Sequence, residues 1–168
     1  MTESKSIISI RKGILKNNTK NELSIIIKKL KKQSDYIFVV LYGGYEHFPL
    51  PFPEFRKTCR FLVDLGVDSF ICNHIHVYGP IEIYKQKPII YSTGNFYFPS
   101  KNNIPGWNEG YAALIKVDTF SNDIGLEIIP SHYESNIRKL KKLDSESKNI
   151  FDMKLNKLNN IIQSEKLL

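Results

Sequence analysis

Two histidines one residue apart, His74 and His76, stand just past the apolar run 67–72. Imidazoles at i and i+2 beyond a strand end can both reach one ion if the chain bends there, and loops at strand ends are where ligands are usually presented. The stretch 70–98, FICNHIHVYGPIEIYKQKPIIYSTGNFYF, breaks at this polar turn, crosses Pro80 and closes on Ser92-Thr93-Gly94-Asn95. With Tyr42-Gly43-Gly44-Tyr45-Glu46 upstream, it carries the chain's chemical signal. An H-x-H pair alone is modest evidence, because two imidazoles do not fill the four or more positions around a metal. Ordinary turn histidines are the competing reading, and Ser92 to Asn95 reads equally well as a tight turn.

The elements that must hold these residues follow from periodicity and punctuation. A short apolar stretch at 6–10 reads as an edge strand. Asn17-Asn18-Thr19 signals a helix start, with Thr19 and Glu22 spaced as a capping box. The helix 20–32 then places Leu23, Ile26, Ile27 and Leu30 on one face. Residues 36–42, YIFVVLY, form an unbroken apolar run, as in a strand covered on both faces. Gly43-Gly44 stops it. Pro49, Pro51 and Pro53 make a stiff connector, and Pro53 starts a helix carrying Phe55, Cys59, Leu62 and Leu65 at core spacing, with Gly66 as its C′ residue. A second buried strand follows at 67–72. Residues 81–84 and 88–91 flank Lys85-Gln86-Lys87 as a hairpin, and 111–117 with 124–129 form another antiparallel pair across Ser121-Asn122-Asp123. Between these pairs, 100–107 is an excursion loop. From about Asp144, Ile150, Met153, Leu158, Ile161 and Ile162 mark a terminal amphipathic helix whose tail, 163–168, frays. Helix, buried strand, helix is the grammar of an α/β layer protein.

At 168 residues, 42% apolar and 24% charged, the chain has the size and composition of one soluble domain with a real core. The net charge of +7 suits an anionic partner. Its lysines concentrate at 28–32 and 139–142, which read as solvated helix faces. No aromatic-rich RNA signature or helix-turn-helix pattern accompanies them, so no nucleic-acid partner is expected. Cys59 and Cys72 are expected as a reduced, packed pair. The N-terminal residues lack a long apolar region, and no run of ~20 apolar residues occurs. The expectation is a cytoplasmic chain with no membrane span.

The flanks of the H-x-H pair resemble the CapA family of poly-γ-glutamate capsule biosynthesis proteins, within the calcineurin-like metallophosphoesterases. That family carries an H-x-G-x-E block, then H-H-x-H, E-x-Y and a proline-initiated I-x-Y-S-x-G-N-F. The matching residues here are Tyr42 to Glu46, Asn73-His74-Ile75-His76, Glu82-Ile83-Tyr84, and Pro88 to Phe96. The resemblance implies a bacterial, partial calcineurin-like α/β sandwich: mixed sheets flanked by helices, 1–132 as a C-terminal half-domain and 133–168 as a helical extension of one domain, 1–168. It places His74 and His76 on metal-ligand positions for Mn, Fe or Zn. Glu46 and Asn73 fall on catalytic positions, and Tyr42, Ser92 and Asn95 on the substrate-facing or site-loop positions.

Three departures weigh on activity. Tyr42 stands where the family has a ligand histidine, and a phenol with a pKa near ~10 is a poor substitute. Asn73 replaces the first histidine of H-H-x-H. The D-x-H, G-D and G-N-H type blocks of the family's first half do not occur before residue 36. A two-metal centre needs a bridging carboxylate and ions roughly 3.5–4 Å apart, which these residues alone do not furnish. The reading is therefore a CapA-like protein with a degenerate or incomplete site, weak or inactive by itself. The alternatives are one half of a split phosphoesterase completed by a partner chain, and a non-enzymatic module binding an anionic polymer. If strands 36–42 and 67–72 once lay beside absent partners, their open edges predict a homo-oligomer.

Overall fold

The computed structural model describes residues 5–10, 17–99 and 104–164. Eleven elements follow in the order β1 (Lys5–Ile10), α1 (Asn17–Leu30), β2 (Tyr36–Tyr42), α2 (Pro53–Asp64), β3 (Ser69–Asn73), β4 (Ile81–Tyr84), β5 (Lys87–Ile90), β6 (Glu109–Val117), β7 (Ile124–Glu134), β8 (Lys139–Lys142) and α3 (Ser145–Ser164). The first five strands form one sheet in the order β1-β2-β3-β5-β4, and the last three form a second, antiparallel sheet. In the first sheet only β4, hairpinned to β5, runs antiparallel to its neighbour. This is the expected mixed α/β architecture, with two sheets and flanking helices.

Side-chain alternation sorts the five-stranded sheet into two faces. Phe70 and Cys72 of β3, Ile89 of β5 and the following Tyr91 join Ile37, Val39 and Leu41 of β2 in a core capped by Leu23 and Ile27 of α1 and by Phe55, Cys59 and Leu62 of α2. Ile71 and Ile90, one residue out of phase, point the other way. They pack with Tyr78, Tyr111, Phe151 and Leu155 in a second core formed with β6, β7 and α3. Residues 36–42 are thus fully buried on one face and only half-buried on the other, less covered than an unbroken apolar run suggests.

A buried ionic knot locks the layers together. Glu82 of β4 accepts hydrogen bonds from Arg56 Nη2 (3.1 Å), Arg60 Nε (2.8 Å) and the Tyr91 hydroxyl (2.6 Å). Arg56 also donates to the Ile162 carbonyl of α3, so one guanidinium joins α2, β4 and the terminal helix. Burial opposes ionisation of Glu82, but the hydrogen bonds from Arg56, Arg60 and Tyr91 outweigh it and hold the carboxyl below its ordinary value. Burial also pushes the Tyr91 phenol well up, so it stays a proton donor. Within the E-x-Y block, Glu82 is therefore a structural anchor. Tyr84 lies over solvent-side groups, with the Arg60 guanidinium 4.9 Å from its ring centre.

Several local expectations are corrected. Strands 36–42 and 67–72 do not present open edges: β2 lies between β1 and β3, and β3 between β2 and β5. The run at 6–10 is the edge strand it was expected to be, extended by one residue: β1 pairs parallel with β2 from Lys5 to Ile10. The argument for self-association from those two strands falls with their open edges. The lysine run 139–142 is a strand and not a helix face. It pairs with β7 at the edge of the second sheet, where lysines block further pairing. Residues 133–144 are therefore not helical, and the terminal helix begins at Ser145. Helix α1 starts at Asn17, so Thr19 and Glu22 both lie inside it. Ile26, placed on the core face, is exposed, as are Ile150 and Met153 of α3, whose buried stripe is Phe151, Leu155 and Ile162. Cys59 and Cys72 are free and fully buried, as expected, and burial raises the Cys59 thiol well above its ordinary value. Residues 100–103 of the excursion loop and 165–168 of the tail lie outside the described residues. No described helix is long and apolar enough to cross a membrane.

Candidate metal site

The site forms where β2 and β3, paired in register at Tyr42 and Asn73, release their chains at the same end of the sheet. The two loops that follow are strapped to each other. The Gly43 N–H donates to the Asn73 carbonyl (2.9 Å) and the His47 N–H to the Ile75 carbonyl (2.7 Å). Three histidines in these loops hold positive φ: 66° at His47, 133° at His74 and 63° at His76. Non-glycine residues adopt such angles at a cost of about 1–3 kcal/mol each, and such strain clusters at ligand clamps. Gly44, at φ 116°, completes the crossing, because a Cβ there would sit 2.5 Å from Ile75 Cγ2. Gly44→Ala is expected to lower stability by roughly 2–4 kcal/mol through backbone strain plus overpacking, read as a lower urea midpoint.

This crossing brings Glu46, His74 and His76 together: one donor atom from each lies within 4.8 Å of the others. Among the described residues, no other group of three histidines, cysteines or carboxylates converges this way. Glu46 Oε1 is 3.7 Å from His74 Nε2, and its other oxygen is 4.0 Å from His47 Nε2. Two imidazoles and one carboxylate are a donor set for Zn, Mn or Fe. The local chemistry fits an ion. His74 Nδ1 is buried with no hydrogen-bond partner, leaving an imidazole short of contacts beside a carboxylate. Three ligands fit one ion with open positions, and the described residues add no bridging carboxylate for a second.

The remaining sequence-predicted residues surround the triad in different roles. Tyr42 is half exposed and lays its ring over His74, with centroids 4.4 Å apart, so it packs on an imidazole. Asn73 Oδ1 accepts the Thr93 hydroxyl at 2.6 Å. Ser92 is buried; its hydroxyl donates to the Val77 carbonyl (2.8 Å) and accepts the Gly94 N–H (3.1 Å), which makes it a brace of the turn. Asn95 is buried beside His76, its Oδ1 3.0 Å from Nδ1. A fourth histidine, His132, which no site reading included, lies apart on β7 opposite Glu109.

Sequence reasoning undervalued two groups. His47, next in sequence to Glu46, has its ring centre 6.2 Å from that of His76. Trp107, a residue of the excursion loop, covers His76 at 4.9 Å and stands 5.7 Å from His47, with Phe98 against both His76 and Trp107. No spacing rule links residues 47, 76 and 107, so this aromatic wall had no signal beyond its residue types. Below His47 a groove of about 400 Å³ runs between the site loops and α3, floored by Val77, Tyr78 and Leu158 and flanked by Lys154 and Lys157.

Comparison with known proteins identifies the family of the chain. The chain is similar to the PGA biosynthesis protein CapA of Bacillus subtilis, 33% identical over 107 residues that cover 62% of this chain and 27% of that protein. It is also similar to the capsule biosynthesis protein CapA of Bacillus anthracis, 30% identical over 102 residues, 60% of this chain and 24% of that one. An uncharacterized protein of Sinorhizobium fredii, y4sH, is 31% identical over 82 residues, covering 46% and 18% respectively. The chain thus spans about a quarter of the length of the two CapA proteins. The model of the bacterial capsule synthesis protein family PGA_cap matches residues 2–100, the span that contains every member of the triad and its turn, and the chain belongs to that family.

Proposed function

We propose that Glu46, His74 and His76 hold one divalent cation, Mn²⁺, Fe²⁺ or Zn²⁺, in a CapA-like protein of capsule or poly-γ-glutamate biosynthesis. Its phosphoesterase-type site is incomplete in this chain and turns over weakly or not at all alone. The observation that carries this reading is the convergence of the three donors within 4.8 Å on two strained, mutually strapped loops. When bound, such an ion supplies Lewis-acid charge at a phosphoryl oxygen. The chain's own residues do the rest. Glu46 offsets the cation's charge, Tyr42 shields one face of His74, and Trp107 and Phe98 exclude water beside His76. Asn73, its oxygen committed to Thr93, has N–H groups to offer a substrate oxygen. Further ligands, if the full centre is binuclear, come from other polypeptide, which is the split-enzyme form of the same reading.

Elemental analysis of the purified chain after loading with Mn²⁺ or Zn²⁺ tests this. One ion per chain, with hydrolysis of bis(p-nitrophenyl) phosphate near background, is the expected result. Two tightly held ions and robust turnover would overturn the incompleteness of the site, and no ion at all would overturn the site itself. A second reading, a module that binds an acidic polymer, is favoured by the groove that joins His47 to Lys157 and to Lys154, the latter paired with Glu109 at 3.5 Å. It predicts saturable, salt-sensitive binding of polyglutamate that persists in EDTA.

A further inference from the structure

We propose that Asn95 is a positioning residue that holds His76 in one tautomer, with the proton on Nδ1 and the lone pair on Nε2. The proposal deepens the metal-site reading, and its consequence for ion affinity rests on that reading. The tautomer follows from which atoms can donate. The Trp107 carbonyl has no proton, so the Asn95 atom 2.9 Å from it is the amide nitrogen, donating. The amide oxygen therefore faces His76 Nδ1 at 3.0 Å and can only accept. Nδ1 must carry the proton, and a neutral imidazole has only one. Nε2 is left as the nitrogen with a lone pair to give an ion.

Three features keep the amide from flipping. Asn95 is buried, so water does not readily replace either partner. Its backbone is clamped to β6 by a bridge between Gly94 and Gly110. That approach tolerates only glycine: a Cβ on Gly94 would lie 2.6 Å from the Glu109 carbonyl oxygen, and one on Gly110 2.5 Å from the Asn95 carbonyl oxygen. Trp107 acts twice, anchoring the amide through its carbonyl and covering His76 with its ring at 4.9 Å. A chain of contacts from the excursion loop through Asn95 thus sets which nitrogen of His76 keeps its lone pair.

The test is ¹⁵N NMR of the four imidazoles in the metal-free chain, at a pH where they are neutral, paired with calorimetric titration of Zn²⁺. Wild-type His76 is expected to show a protonated Nδ1 and a bare Nε2. In Asn95→Ala the tautomers are expected to mix and Zn²⁺ affinity to fall about 10–100-fold. Asn95→Asp keeps an acceptor against Nδ1 while losing the donation to Trp107, and is expected to restore both the tautomer and most of the affinity. A wild-type His76 protonated on Nε2 would overturn the proposal. So would a folded Asn95→Ala that binds Zn²⁺ as the wild type does. Should Asn95→Ala fail to fold, the wild-type tautomer and Asn95→Asp decide the matter. A chain that takes up no Zn²⁺ yet shows the expected tautomers would sink the metal site and leave the role of Asn95 standing.

Discussion

Replacing His76 by alanine is expected to reduce Mn²⁺ or Zn²⁺ affinity by at least about two orders of magnitude, since it removes one of the three proposed ligands and leaves a pair that cannot define a coordination geometry. His74→Ala should do the same, whereas His47→Ala should change affinity far less, because His47 meets Glu46 only at 4.0 Å and lies outside the convergent triad. Isothermal titration of the three variants checks the ranking. Equal losses in all three would assign His47 to the coordination sphere. Equal retention in all three would remove the site. Glu46→Gln separates charge from geometry: it keeps one oxygen donor and loses the anion, so a large loss there shows that neutralising the ion's charge matters beyond the geometry. Tyr42→Phe retains the ring over His74 and is expected to leave ion affinity unchanged, since the phenol oxygen is not needed for that contact.

The second large effect lies away from the site. Arg56→Ala is expected to lower folding stability by ~3–5 kcal/mol, because it leaves the Glu82 carboxylate buried with part of its compensation gone. It also frees the Ile162 carbonyl and so loosens α3. The double variant Arg56→Met, Glu82→Gln should be less destabilised than the sum of its single changes, as charges removed together leave none uncompensated. Denaturant titration of the four proteins measures this; strict additivity would show that the two residues are not coupled. Acid supplies an independent check. The folded-state pKa of Glu82 lies below its unfolded value, so the ion pair contributes fully above the unfolded carboxyl pKa of about 4.3. That contribution is lost as pH falls through the lower folded value. The stability gap between wild type and Glu82→Gln should therefore be constant near neutrality and shrink below about pH 4. A gap that widened on acidification would contradict the assignment.

The two effects share a cause in the fold. Glu82 sits on the hairpin whose second strand leads into Ser92 to Asn95, and Tyr91, the residue between, donates to Glu82. The knot that ties α2 and α3 to the sheet thus also holds the start of the turn that reaches His76. Loosening Arg56 should blur the geometry around His76 as well as lower the melting temperature. Ion affinity in Arg56→Ala, measured well below its midpoint, would show how far the two are coupled.

Sequence alone determined the elements whose cause is local. The apolar run ending at Gly43-Gly44, the helix opened by Pro53 and closed at Gly66, and the hairpin around Lys85 and Gln86 were legible because backbone preference and periodicity act over a few neighbouring residues. His74 and His76 could be named because they lie on one turn, whereas Glu46 could be named only through the resemblance of its block to the CapA family, and there as a catalytic position. Tertiary structure decided everything that depended on which surface was covered. The run Lys139–Lys142 became a strand because β7 offered it a ladder, and Ile26 became solvent-exposed because the sheet met the other face of α1. Edges could not be assigned until strand order was known: β1 covers the flank of β2, and β5 that of β3, where open edges were predicted. The wall of Trp107 and Phe98, and the amide that selects a tautomer of His76, join residues up to 60 positions apart. Contacts of that kind are made by packing, which leaves no periodic trace along the chain.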